Sequence, residues 1–360
     1  MRIGMISPYS LSVPGGVQGQ ILGLAQALRE RGEYVRVLGP CDGPPPAPFV
    51  TPLGNSVPTG ANGSIAPIAP DPAAQLRTIR ALRDEDFDVV HLHEPLAPGP
   101  TTTAMLLRPA PMVGTFHAAG SSRAYEAFRP LLSRGARRLE RRFAVSEDAR
   151  EMAKAALGGT YEIVFNGVHV ASFQLGRHTK TEGPTVLFLG RHEERKGLAV
   201  LLRAVDQMGP DVRVWIAGDG PETAQLRSLY AADPRLEWLG EISDEERGER
   251  LRGADVLCAP SLRGESFGIV LLEAMAANTA IVASDLAGYA RVARAGIDAA
   301  LVPPGNVDSL ATELTSMLTN VDRRERFVAS GAERVLTFSM RALSEIYLEA
   351  YRDVLVNADH

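Results

Sequence analysis

Short apolar runs alternate along this chain with longer segments in which apolar residues recur at helical spacing. The short runs have the length of buried strands, and the longer segments have the spacing of amphipathic helices. Strands are predicted at residues 2–6, 34–38, 87–92, 111–116, 143–146, 161–164, 185–189, 212–217, 236–239, 256–259, 280–284 and 300–303. Because these strands alternate with helices, the sequence predicts an α/β fold with parallel sheets wrapped by helices.

A polar segment at residues 174–183 divides the chain into two similar halves. Its charged residues and glycines are typical of a hinge, and 360 residues are enough for two domains of roughly 150 to 200 residues each. We expect one domain at 1–173, a second at 184–338 and an amphipathic helix in the tail at 339–360. The residues predicted to form the apolar face of that helix are Leu343, Ile346, Tyr347, Ala350 and Tyr351.

Composition favours an ordinary globular protein of the cytoplasm. Hydrophobic residues make up 45% and charged residues 22% of the chain. The most apolar window, 269–283, is interrupted by Glu273 and Asn278, so it predicts a core helix and strand rather than a membrane span. Cys41 and Cys258 lie in different halves, far from any zinc-ligand spacing, and the first residues do not resemble a signal peptide.

The formal net charge of -5 is unevenly distributed. Residues 1–176 contain 17 basic and 15 acidic side chains, whereas the remainder contains 21 and 28. Seven arginines lie in the run 123–142, and the predicted helix 73–83 places Arg77, Arg80 and Arg83 on one face. These arginines form either a solvated surface or a surface for an anionic membrane, and both interpretations stay open.

Two features of the first half indicate a ligand site. Gly15 and Gly16 separate the first strand from a helix at 17–30, an arrangement that presents backbone N–H groups to a phosphate, although a glycine pair more often only closes a turn. His117 follows the strand 111–116, at the end where open sheets bind ligands. His91 and His93 point the same way from another strand, and without a third ligand nearby a hydrogen-bonded strand end is favoured over a metal site.

The second half contains two charged motifs. Arg191 and Lys196 lie in a glycine-framed loop at 190–197, and fixed cations there can stabilise a departing diphosphate. Glu265 and Glu273 are eight positions apart where a loop enters a helix predicted to begin near Phe267. The start of that helix favours an anion, and a glutamate can accept hydrogen bonds from sugar hydroxyls. Taken singly, each motif also fits a charged loop or an amphipathic helix.

Together these motifs resemble the retaining glycosyltransferases of family 4. The resemblance rests on Glu-x7-Glu at 265–273, Ala-Pro-Ser at 259–261, Gly-Arg-x4-Lys-Gly at 190–197 and Gly-Asp-Gly at 218–220, and it covers nearly the whole chain. It implies a GT-B fold, in which two Rossmann-like, doubly wound parallel-sheet domains face a central cleft and the tail helix crosses back to the first domain. It also implies a hexosyltransferase that needs no metal or other cofactor.

The resemblance assigns roles to individual residues. Glu265 contacts the transferred sugar, Glu273 the ribose, and Arg191 and Lys196 the diphosphate, with His117 also in the active site. The implied catalytic residues are His117, Glu265, Arg191 and Lys196. The implied donor-binding residues are Gly15, Gly16, Arg191, Lys196, Gly218, Glu265, Ser266, Phe267, Gly268, Ile269 and Glu273. The implied acceptor-binding residues are Tyr9, Gln18 and Arg123.

The family members most similar at 1–5, 8–10, 13–18, 93–95 and 264–271 transfer mannose from GDP-mannose to a phosphatidylinositol-type lipid. We therefore expect that reaction, carried out by a monomer at the inner membrane face without nucleic acid. Basic residues of those members are absent at 62–69 and at Ser122, so a UDP-sugar donor and a soluble or other lipid acceptor stay open. A nucleotide-sugar epimerase and a non-catalytic nucleotide-binding protein are further alternatives.

Overall fold

The structure, a computed structural model, describes residues 1–61, 64–117, 135–179, 181–265 and 267–358. Contacts within the chain divide it into two compact units. The first unit combines Met1–Gly167 with Met340–His360, and the second unit is Val168–Ser339. The division therefore falls at Gly167, before the polar segment that the sequence indicates as a hinge.

A parallel sheet of seven strands forms the centre of the first unit, in the order β3-β2-β1-β6-β7-β8-β9. Its strands are β1 (Arg2–Ile6), β2 (Tyr34–Gly39), β3 (Val50–Pro52), β6 (Val89–His93), β7 (Met112–Phe116), β8 (Arg141–Ala144) and β9 (Glu162–Ile163). An antiparallel pair, β4 (Val57–Ala61) and β5 (Ser64–Ile68), stands apart from the sheet. The helices are α1 (Gly16–Glu30), α2 (Pro72–Glu85), α3 (Pro100–Leu107), α4 (Glu147–Leu157) and α13 (Met340–Ala358).

The second unit has a parallel sheet of six strands, in the order β12-β11-β10-β13-β14-β15. Its strands are β10 (Thr185–Leu189), β11 (Arg213–Ala217), β12 (Leu236–Gly240), β13 (Val256–Ala259), β14 (Ala280–Ser284) and β15 (Ala300–Val302). The helices are α5 (Val170–Gln174), α6 (Leu198–Val205), α7 (Thr223–Leu229), α8 (Asp244–Gly253), α9 (Ile269–Ala276), α10 (Ala287–Val292), α11 (Val307–Thr319) and α12 (Val321–Leu336), and a 3-10 turn covers Glu194–Lys196.

The strands predicted from apolar runs are all present, with small shifts of their ends. Central strands such as β6 and β14 are buried along their whole length, because helices cover both faces of a parallel sheet. The tail helix α13 packs in the core of the first unit through Leu343, Tyr347 and Tyr351. Ile346, which was expected on the same face, is instead 47% exposed, so that prediction is wrong.

Candidate functional site

Three loops of the second unit meet at the carboxyl ends of its central strands. Strands β11, β10 and β13 are neighbours, and the strand order reverses between β10 and β13. Open parallel sheets bind ligands at such a switch point. The loops that follow these strands contain residues 190–197, 218–222 and 260–268, so they hold the motifs that the sequence indicates.

The Glu265 carboxylate lies at the centre of a polar cluster in these loops. Lys196 Nζ is 2.6 Å from Glu265 Oε1, and the Ser261 hydroxyl donates to the same oxygen over 2.9 Å. Arg195 Nη1 lies 3.7 Å from that oxygen, and the Tyr289 hydroxyl is 3.0 Å from Ser261 Oγ. Within the described residues only Oε1 is bonded, which leaves Oε2 to accept hydrogen bonds from a ligand hydroxyl.

Two glycines allow the three loops to approach one another. Gly197 has φ +72°, and a Cβ on it would lie 2.0 Å from the Pro260 carbonyl oxygen. Gly218 has φ +119°, and a Cβ on it would lie 2.0 Å from the Gly190 carbonyl oxygen. No side chain fits at these separations, so the close approach requires glycine at both positions.

Helix α9 begins at Ile269 rather than near Phe267 as predicted. Gly268 precedes it with φ +84°, and a Cβ there would lie 2.5 Å from the Tyr289 ring. The Phe267 side chain is buried in the core, with its ring centroid 5.9 Å from that of Phe338. Any contact of Phe267 with a donor is therefore limited to its backbone. A cavity of about 80 Å³ lies beside this junction, lined in part by Lys196, Ser261, Glu265, Gly268 and Ile269.

Glu273 of α9 is paired with a cation from another helix. Arg247 of α8 donates to Glu273 Oε1 over 3.0 Å, and it also forms an ion pair with Asp244. The Glu273 side chain is only 12% exposed. Burial raises its pKa above the ordinary glutamate value, and Arg247 opposes this effect. A buried carboxylate with a perturbed pKa and a cationic partner is found more often at functional sites than elsewhere.

The Arg191 side chain is in a different situation from Lys196 and Glu273. It is exposed, and it makes no ion pair or hydrogen bond with any described residue. Its guanidinium is therefore available to bind an anion such as a phosphate. The loop that follows β10 thus contains the paired cations Arg195 and Lys196 and the unpaired cation Arg191.

In the first unit, the predicted glycine loop leads directly into α1. Gly15 is the N-cap and Gly16 the first residue of the helix. A Cβ at Gly16 would meet nothing within 4 Å, whereas one at Gly15 would lie 2.4 Å from Gln18 Oε1. Gln18 is buried, with Nε2 3.4 Å from the Ser10 carbonyl oxygen. Gln18 therefore packs under the glycine loop, and its contact with an acceptor stays a prediction.

His117 follows β7 and lies among buried polar groups. Its backbone N–H donates to the Glu94 carboxylate, and its Nε2 is 3.0 Å from His93 Nδ1. Burial lowers the pKa of His117 to about 4, so this imidazole is neutral at physiological pH. Burial and the charge of Glu94 together raise the pKa of the Tyr9 hydroxyl. His117, Glu94 and Tyr9 therefore belong to one polar neighbourhood.

Four residues of these clusters were not assigned a role from the sequence. They are Glu94, Arg247, Ser261 and Tyr289. Glu94 has φ +47° and directly follows β6 at the ligand-binding end of the sheet, a position that could have identified it. Arg247 is one of several charged residues on α8, and nothing in its spacing distinguishes it from its neighbours.

Part of the predicted arginine-rich surface has a structural role instead. Arg141 and Arg142 lie on β8, not on a helix face. Arg141 forms two 2.7 Å hydrogen bonds with the Glu162 carboxylate, and Arg142 donates to the Gly158 carbonyl oxygen. The prediction of one exposed basic face over 123–142 is therefore wrong for these two residues. Residues 118–134, which include Ser122 and Arg123, lie outside the described residues, as do Ser266, Asn62 and Gly63.

The described part of the chain contains no group of three or more His, Cys, Asp or Glu side chains placed to hold a metal ion. Among the helices of that part, none is long and apolar enough to cross a membrane.

The fold and the charged loops define a class of protein. The crystal structure of Anabaena HepE in complex with UDP and glucose matches this chain with a TM-score of 0.71 at 17% identity. The match covers 98% of this chain and 100% of that one. This likeness confirms the GT-B fold that the sequence motifs imply.

The sequence comparisons identify the family. The model described as Glycosyltransferase Family 4 matches residues 14–172, and the model described as Glycosyl transferases group 1 matches residues 174–334. The phosphatidyl-myo-inositol mannosyltransferase of Mycobacterium leprae (strain TN) is 43% identical, over 98% of this chain and 97% of its own. The protein of that name from Mycolicibacterium smegmatis is 40% identical, over 98% and 94%. The chain belongs to glycosyltransferase family 4, and the expectation of a hexosyltransferase is confirmed.

Proposed function

We propose that this protein is a retaining mannosyltransferase that transfers mannose from GDP-mannose to a phosphatidylinositol-type lipid. One observation carries the proposal. The similarity to relatives named for mannosyl transfer to phosphatidyl-myo-inositol extends over 98% of the chain. It therefore includes the first unit, with the expected acceptor residues, as well as the donor loops of the second unit.

The second unit is assigned the nucleotide-sugar donor. Lys196 and the unpaired Arg191 supply two cations for the diphosphate. Glu265, fixed through Oε1, offers Oε2 to the hydroxyls of the transferred sugar. Glu273, ion-paired with Arg247, accepts hydrogen bonds from the ribose. The backbones of Gly218, Ser266, Phe267, Gly268 and Ile269 complete the assigned donor site.

The transfer step is a substitution on one face of the sugar. The bond between the anomeric carbon and the leaving phosphate oxygen breaks, and a bond to the acceptor hydroxyl oxygen forms on the same face. The acceptor proton passes to the departing phosphate. Negative charge grows on the diphosphate during this step, and Arg191 and Lys196 stabilise it. Because no enzymic nucleophile is needed, Glu265 acts by orienting the sugar.

The first unit is assigned the acceptor and part of the donor phosphate. The N–H groups of Gly15 and Gly16 at the start of α1 suit a phosphate. His117, with its neutral imidazole, is assigned to the reacting groups. Tyr9, Gln18 and Arg123 are assigned to the lipid headgroup.

We also propose that α2 holds the protein reversibly against an anionic membrane at its cytoplasmic face. Arg77, Arg80 and Arg83 are exposed on this helix, and Leu76 beside them is 67% exposed. The ion pair of Arg80 with Asp84 is solvent-exposed and therefore weak, so it does not prevent contact with lipid. Attraction of basic residues to anionic lipid contributes roughly 1 kcal/mol each near the surface. Such contact would bring the enzyme to an acceptor that stays in the bilayer.

The reaction is tested by offering donors and acceptors in all combinations. Purified protein is incubated with GDP-mannose or UDP-glucose, together with phosphatidylinositol vesicles, neutral vesicles or a soluble acceptor such as free inositol. The expected product is an α-mannosyl lipid, formed only from GDP-mannose and phosphatidylinositol. A UDP-sugar product or a soluble product would contradict the proposal. Isomerised donor in the absence of acceptor would indicate an epimerase, and binding without turnover would indicate a regulator.

A further inference from the structure

A row of three histidines lies in the first unit beside β6 and β7. His91 and His93 occupy alternate positions of β6, and His117 follows the neighbouring strand β7. The ring centroids of His91 and His93 are 4.2 Å apart, and those of His93 and His117 are 5.3 Å apart. His91 and His93 are 0% and 2% exposed, while His117 is partly exposed. The row therefore leads from the buried sheet to the predicted catalytic residue.

His93 and His117 share one hydrogen bond between ring nitrogens. Nδ1 of His93 and Nε2 of His117 are 3.0 Å apart, and the ring planes differ by 29°. In a neutral pair, one of these nitrogens carries the proton and the other accepts it. The direction of this bond decides which nitrogen of His117 is protonated. The other nitrogen of His93 shows which direction is favoured.

His93 Nε2 is buried and has no hydrogen-bond partner among the described residues. If His117 donated the shared proton, His93 would carry its own proton on Nε2, as a buried N–H group without an acceptor. Such groups are rare in folded proteins, because a buried donor without an acceptor keeps the full cost of its desolvation. If His93 donates instead, its Nε2 is only an unused acceptor, which is tolerated more often.

Among the described residues, His91 does not offer His93 Nε2 a hydrogen-bond partner. Both nitrogens of His91 are already bonded, Nδ1 to the Tyr351 hydroxyl at 2.6 Å and Nε2 to Thr115 Oγ1 at 2.7 Å. These bonds confirm the predicted hydrogen-bonded strand end, and they hold the His91 ring against His93. Residues of β6, β7 and α13 therefore fix the His91 ring, which lies beside the His93 ring and limits its orientation.

We infer that His93 sets the tautomer of His117, because His93 Nδ1–H donates to His117 Nε2 and so leaves the His117 proton on Nδ1. In this state His117 presents an N–H donor and cannot act as a base through Nδ1. The group that it would bind is an oxygen acceptor, such as a sugar hydroxyl or a phosphate oxygen. This last step rests on the proposed transferase function, whereas the tautomer itself does not. His93 is thus a positioning residue.

Burial supports the persistence of this neutral pair. It lowers the pKa of His117 to about 4 and holds the pKa of His93 well below its ordinary range. The nearby titratable groups are His91, the Glu94 carboxylate that accepts the His117 backbone N–H, and the hydroxyls of Tyr347 and Tyr351. The two tyrosine hydroxyls have raised pKa values and stay neutral as well.

The tautomer can be measured in the intact protein by ¹⁵N NMR of histidine ring nitrogens. The chain contains seven histidines, so the signals are few and can be assigned by single replacements. At neutral pH we expect His117 to show a protonated Nδ1 and an unprotonated Nε2. A parent spectrum with Nε2 of His117 protonated would overturn the inference, and this result needs no variant.

Two replacements of His93 test the cause. In His93→Asp, whose carboxylate can only accept, we expect His117 to carry a proton on Nε2. In His93→Asn, whose amide N–H can take the place of Nδ1–H, we expect His117 to keep its parent state. An unprotonated Nε2 of His117 in a folded His93→Asp protein would show that residue 93 does not set the tautomer.

The kcat and KM of the two His93 variants give a second test of the His93–His117 hydrogen bond. We expect kcat to fall about tenfold in His93→Asp, the effect of one lost hydrogen bond, with little change in the KM of the donor. His93→Asn should stay within about threefold of the parent. Equal losses in both variants would contradict a positioning role. Because the NMR experiment needs no substrate, a failure of the proposed mannosyl transfer would leave the tautomer result intact.

Discussion

Lys196 Nζ lies 2.6 Å from Glu265 Oε1, which joins the loop after β10 to the loop after β13. The same two loops are linked through their backbones, because the Leu262 N–H donates to the Arg195 carbonyl oxygen over 2.7 Å. A cation and a carboxylate are thus held in place before any ligand binds. Charges fixed in this way need little reorganisation when a leaving group develops negative charge.

Removing either of two charged side chains of the proposed donor site should abolish most of the activity. We expect Lys196→Ala and Glu273→Ala each to lower kcat/KM by at least a factor of ~100, about 2.7 kcal/mol, because both contact the donor in the proposed complex. The measurement is the initial rate of sugar transfer, with circular dichroism to show that the variants are folded. Arg263→Ala is the matched control, since its ion pair with Glu194 in the same region is exposed. Near-parental activity of Lys196→Ala would contradict the diphosphate role.

The pH dependence of stability should reveal the burial of Glu273. Its pKa is raised by burial, so the folded state binds the proton more tightly than the unfolded state. The free energy of unfolding that this group contributes is therefore fully present below the ordinary glutamate pKa and is lost as pH rises through the folded value. Gln at this position cannot ionise. We expect the stability of Glu273→Gln relative to the parent to increase with pH across this window.

This comparison is made by urea unfolding at several pH values, and Glu245→Gln on the solvent side of α8 serves as control. A constant difference between Glu273→Gln and the parent would show that the carboxylate is not perturbed in the fold. Activity of the same variant should be low at every pH. Low activity together with higher stability of Glu273→Gln at neutral pH would show that the site retains a carboxylate that lowers the stability of the fold.

The position of the charged, glycine-framed loops of the second unit was predictable from the sequence, because their signals are local. Glycines that frame a loop, such as Gly197, reflect backbone conformations that few other residues adopt. The strands were predictable for a similar reason, since a buried parallel strand is a continuous apolar run. The late start of α9 was not predictable, because it depends on the Tyr289 ring of another helix, which packs against Gly268.

The partners of the charged residues were the main element that the sequence did not show. Arg247 and Glu273 are 26 positions apart on different helices, so their ion pair depends on how α8 and α9 pack. The same applies to Arg141, whose bonds to Glu162 and Asp353 turn a residue of an arginine-rich run into a structural one. Charge patterns along a chain do not distinguish a surface arginine from one that links two elements.

The close approach of the loops should make Gly197 intolerant of substitution. Its φ of +72° is strained for alanine, and a Cβ would lie 2.0 Å from the Pro260 carbonyl oxygen, so the backbone must move. We expect Gly197→Ala to lower the free energy of unfolding by about 1–3 kcal/mol and to weaken donor binding by separating Lys196 from Glu265. Calorimetric unfolding and titration with GDP would measure the two effects. Gly209→Ala is the control, since a Cβ there meets nothing within 4 Å. Equal stability of the two variants would contradict the predicted clash.

The proposed membrane contact should depend on the arginines of α2. Replacing Arg80 and Arg83 together by Ser should weaken binding to anionic vesicles, with up to about 2 kcal/mol lost if each contributes roughly 1 kcal/mol. Co-sedimentation with phosphatidylinositol-containing and neutral vesicles, at low and high salt, measures this, because salt screens such attraction. Arg227 and Arg326, exposed in the second unit, provide a control with the same change of charge.

Arg77, Arg138, Arg141 and Arg142 are excluded from this test, because their bonds to carbonyl oxygens and to Glu162 stabilise the fold. The α2 variant should lose binding only to anionic vesicles and only at low salt, while the control variant should bind like the parent. The activity of the α2 variant on lipid-embedded acceptor should fall in parallel with its binding to anionic vesicles. The affinity of the α2 variant for GDP should not change, because α2 is not part of the assigned donor site. Equal binding of the parent protein to anionic and neutral vesicles, or a control variant as weak as the α2 variant, would contradict a specific basic surface on α2.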